Sequence, residues 1–316
     1  MNSSLFTQAR IGNVLLRNRS VRAAAFEGMC PGNKVSDSLI SYHTAVAAGG
    51  IGMTTVAYAS VSRSGLSFPH QLLLNDDAVP ELRRLTASIH SQGAAASIQI
   101  GHCGQMADAK VSGICLAPTG GFNLYGPTWP KTMSANDIRN TITDFGKAIQ
   151  IVISAGFDAV EVHAGHGYLI SQFLSPYTNK RKDQYGGSFE NRSRFMIEVI
   201  REVIKKSGRK IAVVVKMNMR DGFKGGMELD ESLKVASVLE NEGVDALVLS
   251  GGFVSKAPMY VMRGAMPIDI MSRGIKNPWM RIATRLFGGG SSKPFLFKNP
   301  IFLMMPSNSW KRSKSR

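Results

Sequence analysis

The sequence predicts an α/β fold: a parallel TIM (β/α)8-type barrel that is incomplete, with about six β/α units and the last two strands missing or altered. Two observations predict it. Apolar runs of strand length alternate with amphipathic runs of helix length, and that order demands parallel strands joined by right-handed crossovers. Polar or aromatic residues also recur where these strands end: Phe26, Tyr58, Gln99, His163, Lys216 and Ser250. In such barrels the chemistry sits at the carboxyl ends of the strands.

The elements follow in order. SVRAAAF (20–26) reads as the first strand and DSLISYHTAVAAG as its helix. IGMTTVAYA is the second strand, followed by the helix AVPELRRLTASIHSQG, which a glycine closes. AAASIQIGH is the third strand. Residues 102–133 are rich in glycine, proline and threonine, and they read as a long loop over the barrel mouth. Ser134 is placed to cap the helix SANDIRNTITDFGKAIQIVISAG. FDAVEVH, KIAVVVKMN and DALVLSGG are strands four to six, with SFENRSRFMIEVIREVIKKSG and LDESLKVASVLENEG as the intervening helices. Beyond them no apolar strand followed by a glycine-rich phosphate cradle is evident, and FGGGSSKP reads as a linker. One barrel domain over residues 1–285 and a divergent basic tail over 286–316 are therefore expected.

Composition bounds the function. The chain has 316 residues, 44% apolar and 19% charged, which suits a soluble enzyme with an ordinary core. No apolar stretch is long enough to span a membrane and the start has no secretory pattern. Cys30, Cys103 and Cys115 are odd in number and lack metal-type spacing, so a reducing compartment, the cytoplasm, is expected. The net charge of +16 is uneven: residues 253–316 carry 12 basic side chains against Asp269 alone. A basic end without interleaved aromatics reads as a solvated tail, and no specific nucleic-acid partner is expected.

Residues 161–194, EVHAGHGYLISQFLSPYTNKRKDQYGGSFENRSR, place His163, His166 and Tyr168 where the fourth strand opens into a loop. Their polar ends can converge on one small ligand. Taken as a spacing alone, the pattern is equally compatible with a metal site or with histidines satisfied by the backbone.

The longer string HAGHGYLISQFLSPYTNKRKDQYGGSFENRSRF resembles the Old Yellow Enzyme family of FMN-dependent ene-reductases and NADH:flavin oxidoreductases. LFTQARIGNVLLRNR, SIQIGHCGQ, VVVKMN and GVDALVLSGG extend the resemblance over roughly residues 5–285. It implies an FMN-binding barrel that takes hydride from NAD(P)H and reduces an α,β-unsaturated carbonyl or a related acceptor. By that resemblance His163 and His166 hold the acceptor oxygen, and Tyr168 protonates the α-carbon while hydride reaches the β-carbon. Gln99 would bond the pyrimidine edge of the flavin and Lys216 would face its N1 and O2, where many members carry Arg. Ala24, Ala25 and Tyr58 would line the ring. Phe26 departs from a branch that has Cys or Thr after the first strand. Arg181 and Arg192 read as structural, and no cysteine follows Cys115 to build an iron–sulfur cluster, so no metal is expected. The partner is a small molecule with an activated alkene, and a homo-oligomer stays open. An incomplete barrel implies weak FMN retention and free edges on strands one and six. The alternative is a degenerate barrel that cannot retain FMN and acts as a non-enzymatic interaction protein.

Overall fold

A computed structural model describes residues 4–123, 128–257, 272, 278, 281, 282 and 304–306. An amino-terminal hairpin comes first, β1 (Ala9–Ile11) against β2 (Val14–Leu16), turning at Gly12 with φ +54. β3 (Val21–Arg22), α1 (Asp37–Ala48), β4 (Met53–Ser60), α2 (Val79–Ser91) and β5 (Ala95–Gly101) are the first units. The loop over residues 102–133 carries a short α3 (Ala109–Ser112) and a small parallel pair, β6 (Leu116–Ala117) with β7 (Lys131–Thr132). Then come α4 (Ala135–Ser154), β8 (Ala159–Ala164), α5 (Leu169–Leu174), α6 (Phe189–Ser207), β9 (Ala212–Asn218), α7 (Leu229–Asn241), β10 (Ala246–Ser250) and β11 (Met304–Pro306).

The helices start where their caps are. Ser36 accepts from Leu39 N, Ser188 accepts from Asn191 N, and Ser134 forms a reciprocal capping box with Asp137. On α4 the buried residues Ile138, Thr141, Phe145, Ala148, Ile149 and Val152 make a single stripe. Among the described residues no helix is long and apolar enough to cross a membrane.

One sheet has the order β11-β10-β9-β8-β5-β4-β3, and its six strands from β3 to β10 run parallel. Among the described residues this parallel part agrees with the incomplete barrel expected. It is curled, as one contact shows: Lys216 Nζ on β9 donates to the carbonyl of Ala24, just past β3, at 3.2 Å. Three strands lie between β9 and β3, so a flat sheet would hold them roughly 19 Å apart at about 4.8 Å per strand. Residues of β9 alternate accordingly. Val213, Val215 and Met217 join the core beneath the helices, whereas Ala212 and Val214 face inward.

The hairpin, not anticipated from the sequence, closes the amino-terminal end of this interior. Ile11, Val14 and Leu16 pack on the inward residues Met53, Ala159, Ala212, Val214, Ala246 and Val248. Asn13 Nδ2 donates to the carbonyl of Lys210, and Gly12 sits so close to Asp245 that a Cβ would lie 2.8 Å from its carboxyl carbon.

Two expectations need correction. The first strand, expected over 20–26, ends at Arg22, because side chains engage the backbone that would have continued the ladder. Lys216 takes the Ala24 carbonyl, Arg22 takes that of Ala25, and Glu27 accepts from Ala57 N. Phe26 is consequently exposed, stacked on Phe68 at 4.9 Å. The sixth strand's edge, expected to be free, is paired: β11 lies antiparallel to β10, with Ala246 opposite Pro306 and Val248 opposite Met304. FGGGSSKP and the terminal basic run lie outside the described residues.

Leu16 is 2% exposed in the layer that seals the barrel floor. Leu16→Ala should cost about 2–5 kcal/mol of unfolding free energy, read from urea denaturation. A loss below about 1 kcal/mol would contradict the plug role.

Candidate active site

Alternation along β8 turns Ala159, Glu161 and His163 inward while Val160 and Val162 face the helices. The ladder register sets Gln99 of β5 opposite Glu161, and Lys216 of β9 opposite His163. Above the apolar floor the interior therefore becomes polar, a layer of Gln99, Glu161 and Lys216, all buried. Glu161 Oε1 accepts from Gln99 Nε2 at 2.5 Å and pairs with Lys216 Nζ at 3.0 Å. Glu161 went unnoticed in the sequence. Its signal was there: a carboxylate two positions before an inward histidine, on a strand buried along its whole length, must have a partner.

The next layer is the turn after β8. His166 holds a left-handed backbone, φ +58, which costs a non-glycine residue roughly 1–3 kcal/mol. Its N–H donates to Asn218 Oδ1 at 2.9 Å, its carbonyl accepts from Val254 N at 3.0 Å, and Nε2 lies 2.6 Å from Ser250 Oγ. Asn218 is itself held by Asp221 and the Gly252 carbonyl. The flanking glycines are obligatory for space: a Cβ on Gly165 would stand 2.8 Å from Asn218 Oδ1, and one on Gly167 would stand 2.4 Å from the Phe253 ring.

His163, His166 and Tyr168 do come together. The His163 ring is 5.0 Å from that of His166 and 4.7 Å from that of Tyr168, both edge to face. Burial pushes His163 well below the usual histidine range and His166 down to about 3, and the Lys216 cation adds to both shifts. Both rings are neutral at physiological pH. Gly165 N donates to His163 Nδ1 at 3.3 Å, so the His163 proton resides on Nε2. Tyr168 begins α5, half-buried, with its ring 5.1 Å from that of Tyr58.

The remaining expected site residues divide. Ala24 is half-buried and its carbonyl belongs to Lys216, while Ala25 is exposed. Tyr58 is buried against His163 and Tyr168, and its hydroxyl is spent on the Gly65 carbonyl and Ser67, so it supplies wall and not a hydrogen bond to a ligand. A cavity of about 520 Å³ lies beyond Ser67, lined also by Phe68, Met106, Asn123 and Thr128. Arg181 ties the carbonyls of Pro118 and Met133 to the signature loop, and Arg192 pairs with Glu231, both structural. His102 and Cys103 form no thiolate pair. His102 Nδ1 accepts from Gly104 N, and burial pushes the Cys103 thiol up to about 12.

The donor set suits the pyrimidine edge of a flavin. After its bond to Glu161, Gln99 keeps one N–H and its carbonyl oxygen; after Glu161 and Ala24, the Lys216 ammonium keeps one donor. A cradle for the FMN phosphate is not among the described residues.

Residues 4–277 match the NADH:flavin oxidoreductase / NADH oxidase family, and the chain belongs to that family of FMN enzymes. It is 43% identical over 267 residues to 4,4'-dithiodibutanoate disulfide reductase of Rhodococcus erythropolis, covering 84% of this chain and 66% of that protein. It is 35% identical over 260 residues to NADH oxidase of Thermoanaerobacter brockii, covering 81% and 40%. The Old Yellow Enzyme homologue of Zymomonas mobilis superposes with a TM-score of 0.73 at 25% identity, over 80% of this chain and 74% of that one. The chain thus spans two thirds or less of the length of these two curated relatives.

Burial of neutral histidines makes stability depend on pH. His166 titrates at about 3 and His102 at about 4 in the folded chain, against an unfolded value of about 6.5. Below pH ~6.5 the unfolded chain takes up protons that the native state refuses, so the stabilising contribution is complete above pH ~6.5 and is lost as pH falls toward about 4 for His102 and about 3 for His166. The urea midpoint should decline over that window, and more shallowly in His102→Gln. Identical slopes in the two proteins would contradict the buried-neutral assignment of His102.

Proposed function

We propose that the chain is an FMN-dependent oxidoreductase that uses NAD(P)H to reduce the activated carbon–carbon double bond of an α,β-unsaturated carbonyl. The observation that carries this reading is the placement of Tyr168 and two neutral histidines directly above the Gln99–Glu161–Lys216 layer. Bound FMN would supply the hydride chemistry, with Gln99 and Lys216 at its pyrimidine edge and Ala24 and Ala25 along the ring.

The residues of the chain provide the rest. His163 Nε2–H and a second N–H from His166 polarise the acceptor's carbonyl oxygen, and neutral donors suit this because they need no proton uptake at pH 7. In the tautomer where the Ser250 hydroxyl donates across its 2.6 Å contact with His166 Nε2, the His166 proton lies on Nδ1 and is the second donor. Each donor is worth about 1.5–3 kcal/mol once charge develops on the oxygen. Tyr168 supplies the phenol O–H that delivers the proton to the α-carbon.

A second acceptor class is favoured by the 43% identity to a disulfide reductase acting on 4,4'-dithiodibutanoate. Cleaving a disulfide with one hydride and one proton yields two thiols, and Tyr168 can protonate the leaving thiolate as it would the α-carbon.

Tyr168→Phe should slow alkene reduction by about 10²–10⁴-fold and leave the reduction of bound FMN by NAD(P)H largely intact. Stopped-flow of the two half-reactions checks this, and equal slowing of both counts against the proton-donor role. Parallel assays with 2-cyclohexenone and 4,4'-dithiodibutanoate choose between the acceptors. A folded chain that takes up no FMN at all would support the non-enzymatic alternative.

A further inference from the structure

We infer that Glu161 sets the charge that this chain presents to FMN: by pairing with Lys216 it neutralises the cofactor-facing cation and keeps the bound flavin strongly reducing. The inference rests on the reading of Gln99 and Lys216 as the groups that face the pyrimidine edge. Glu161 is then a positioning residue, since it acts through both of them.

The geometry is specific. A single oxygen, Oε1, takes Gln99 Nε2 at 2.5 Å from the strand on one side and Lys216 Nζ at 3.0 Å from the strand on the other. The Lys216 and Glu161 side chains are 5% and 4% exposed, so solvent does little to screen either charge. Two consequences follow. A carboxylate only accepts, so the Gln99 amide must turn its nitrogen toward Glu161, which fixes the direction in which its carbonyl points. The positive charge of Lys216 is also matched by an equal negative charge one hydrogen bond away. An approaching anion feels the attraction of one and the repulsion of the other.

Reduced flavin carries more negative charge on its pyrimidine edge than oxidised flavin. An unpaired Lys216 would bind the reduced form preferentially, and Glu161 subtracts from that preference. Glu161→Gln keeps the shape and an oxygen acceptor while removing the charge. It should raise the ratio of oxidised to reduced dissociation constants for FMN at least tenfold, a rise of about 30 mV for a two-electron couple. Lys216→Met should lower the same ratio, and Lys216→Met/Glu161→Gln should return near the wild type, because the pair contributes little net charge.

The test is titration of the full chain with oxidised FMN, followed by flavin fluorescence, and with chemically reduced FMN under anaerobic conditions. A Glu161→Gln ratio within twofold of wild type overturns the inference. If Glu161→Gln does not fold, the double variant decides: a ratio equal to wild type upholds the charge-setting role, and a ratio as low as that of Lys216→Met overturns it. An unchanged ratio in Lys216→Met contradicts the placement of the cofactor and not the role of Glu161.

Discussion

The interior of this barrel depends on a buried chain of polar contacts that runs from Gln99 through Glu161 and Lys216 to the Ala24 carbonyl. These residues belong to β5, β8 and β9 and to the segment after β3, so the chain stitches the sheet across its own curvature. Removing one partner would strand a charge where water is scarce, a loss of about 3–5 kcal/mol for buried pairs. The apolar layer below, sealed by the amino-terminal hairpin, keeps water from entering at the floor. The histidines above share the same dry surroundings, and burial, with a smaller contribution from Lys216, keeps both neutral.

The loop chemistry is built to match. His166 accepts an unfavourable backbone because Asn218, Val254 and Ser250 together engage its N–H, carbonyl and ring. Asn218 is the next inward residue after Lys216 on β9, so the strand that carries the cation also anchors the histidine turn. Tyr58 and Tyr168 complete the wall around His163.

Much of this was legible in the sequence. His163, Gln99 and Lys216 sit where apolar alternation ends, and the helix caps at Ser134 and Ser188 are local signals that the fold respects. Glu161 was passed over because a glutamate inside AVEVH looks like the solvent face of a half-buried strand, and only the closed interior makes it inward and paired. The hairpin escaped notice because strands of three residues carry too little alternation to read. The early end of β3 depends on Lys216, a residue 192 positions away, and no local pattern encodes it. Likewise β11 pairs with β10 through tertiary context that its own sequence, with a proline at Pro306, does not announce.

The central claim is that one layer at the carboxyl ends of the strands receives FMN. The most direct measurement is equilibrium binding of FMN to the purified, folded chain, followed by the change in flavin absorbance, alongside the Gln99→Ala/Lys216→Met variant. The account predicts saturable binding that perturbs the flavin spectrum in the wild type and is strongly weakened in a variant that remains folded. Saturable binding of equal strength in both, or none to a folded wild-type chain, would contradict it.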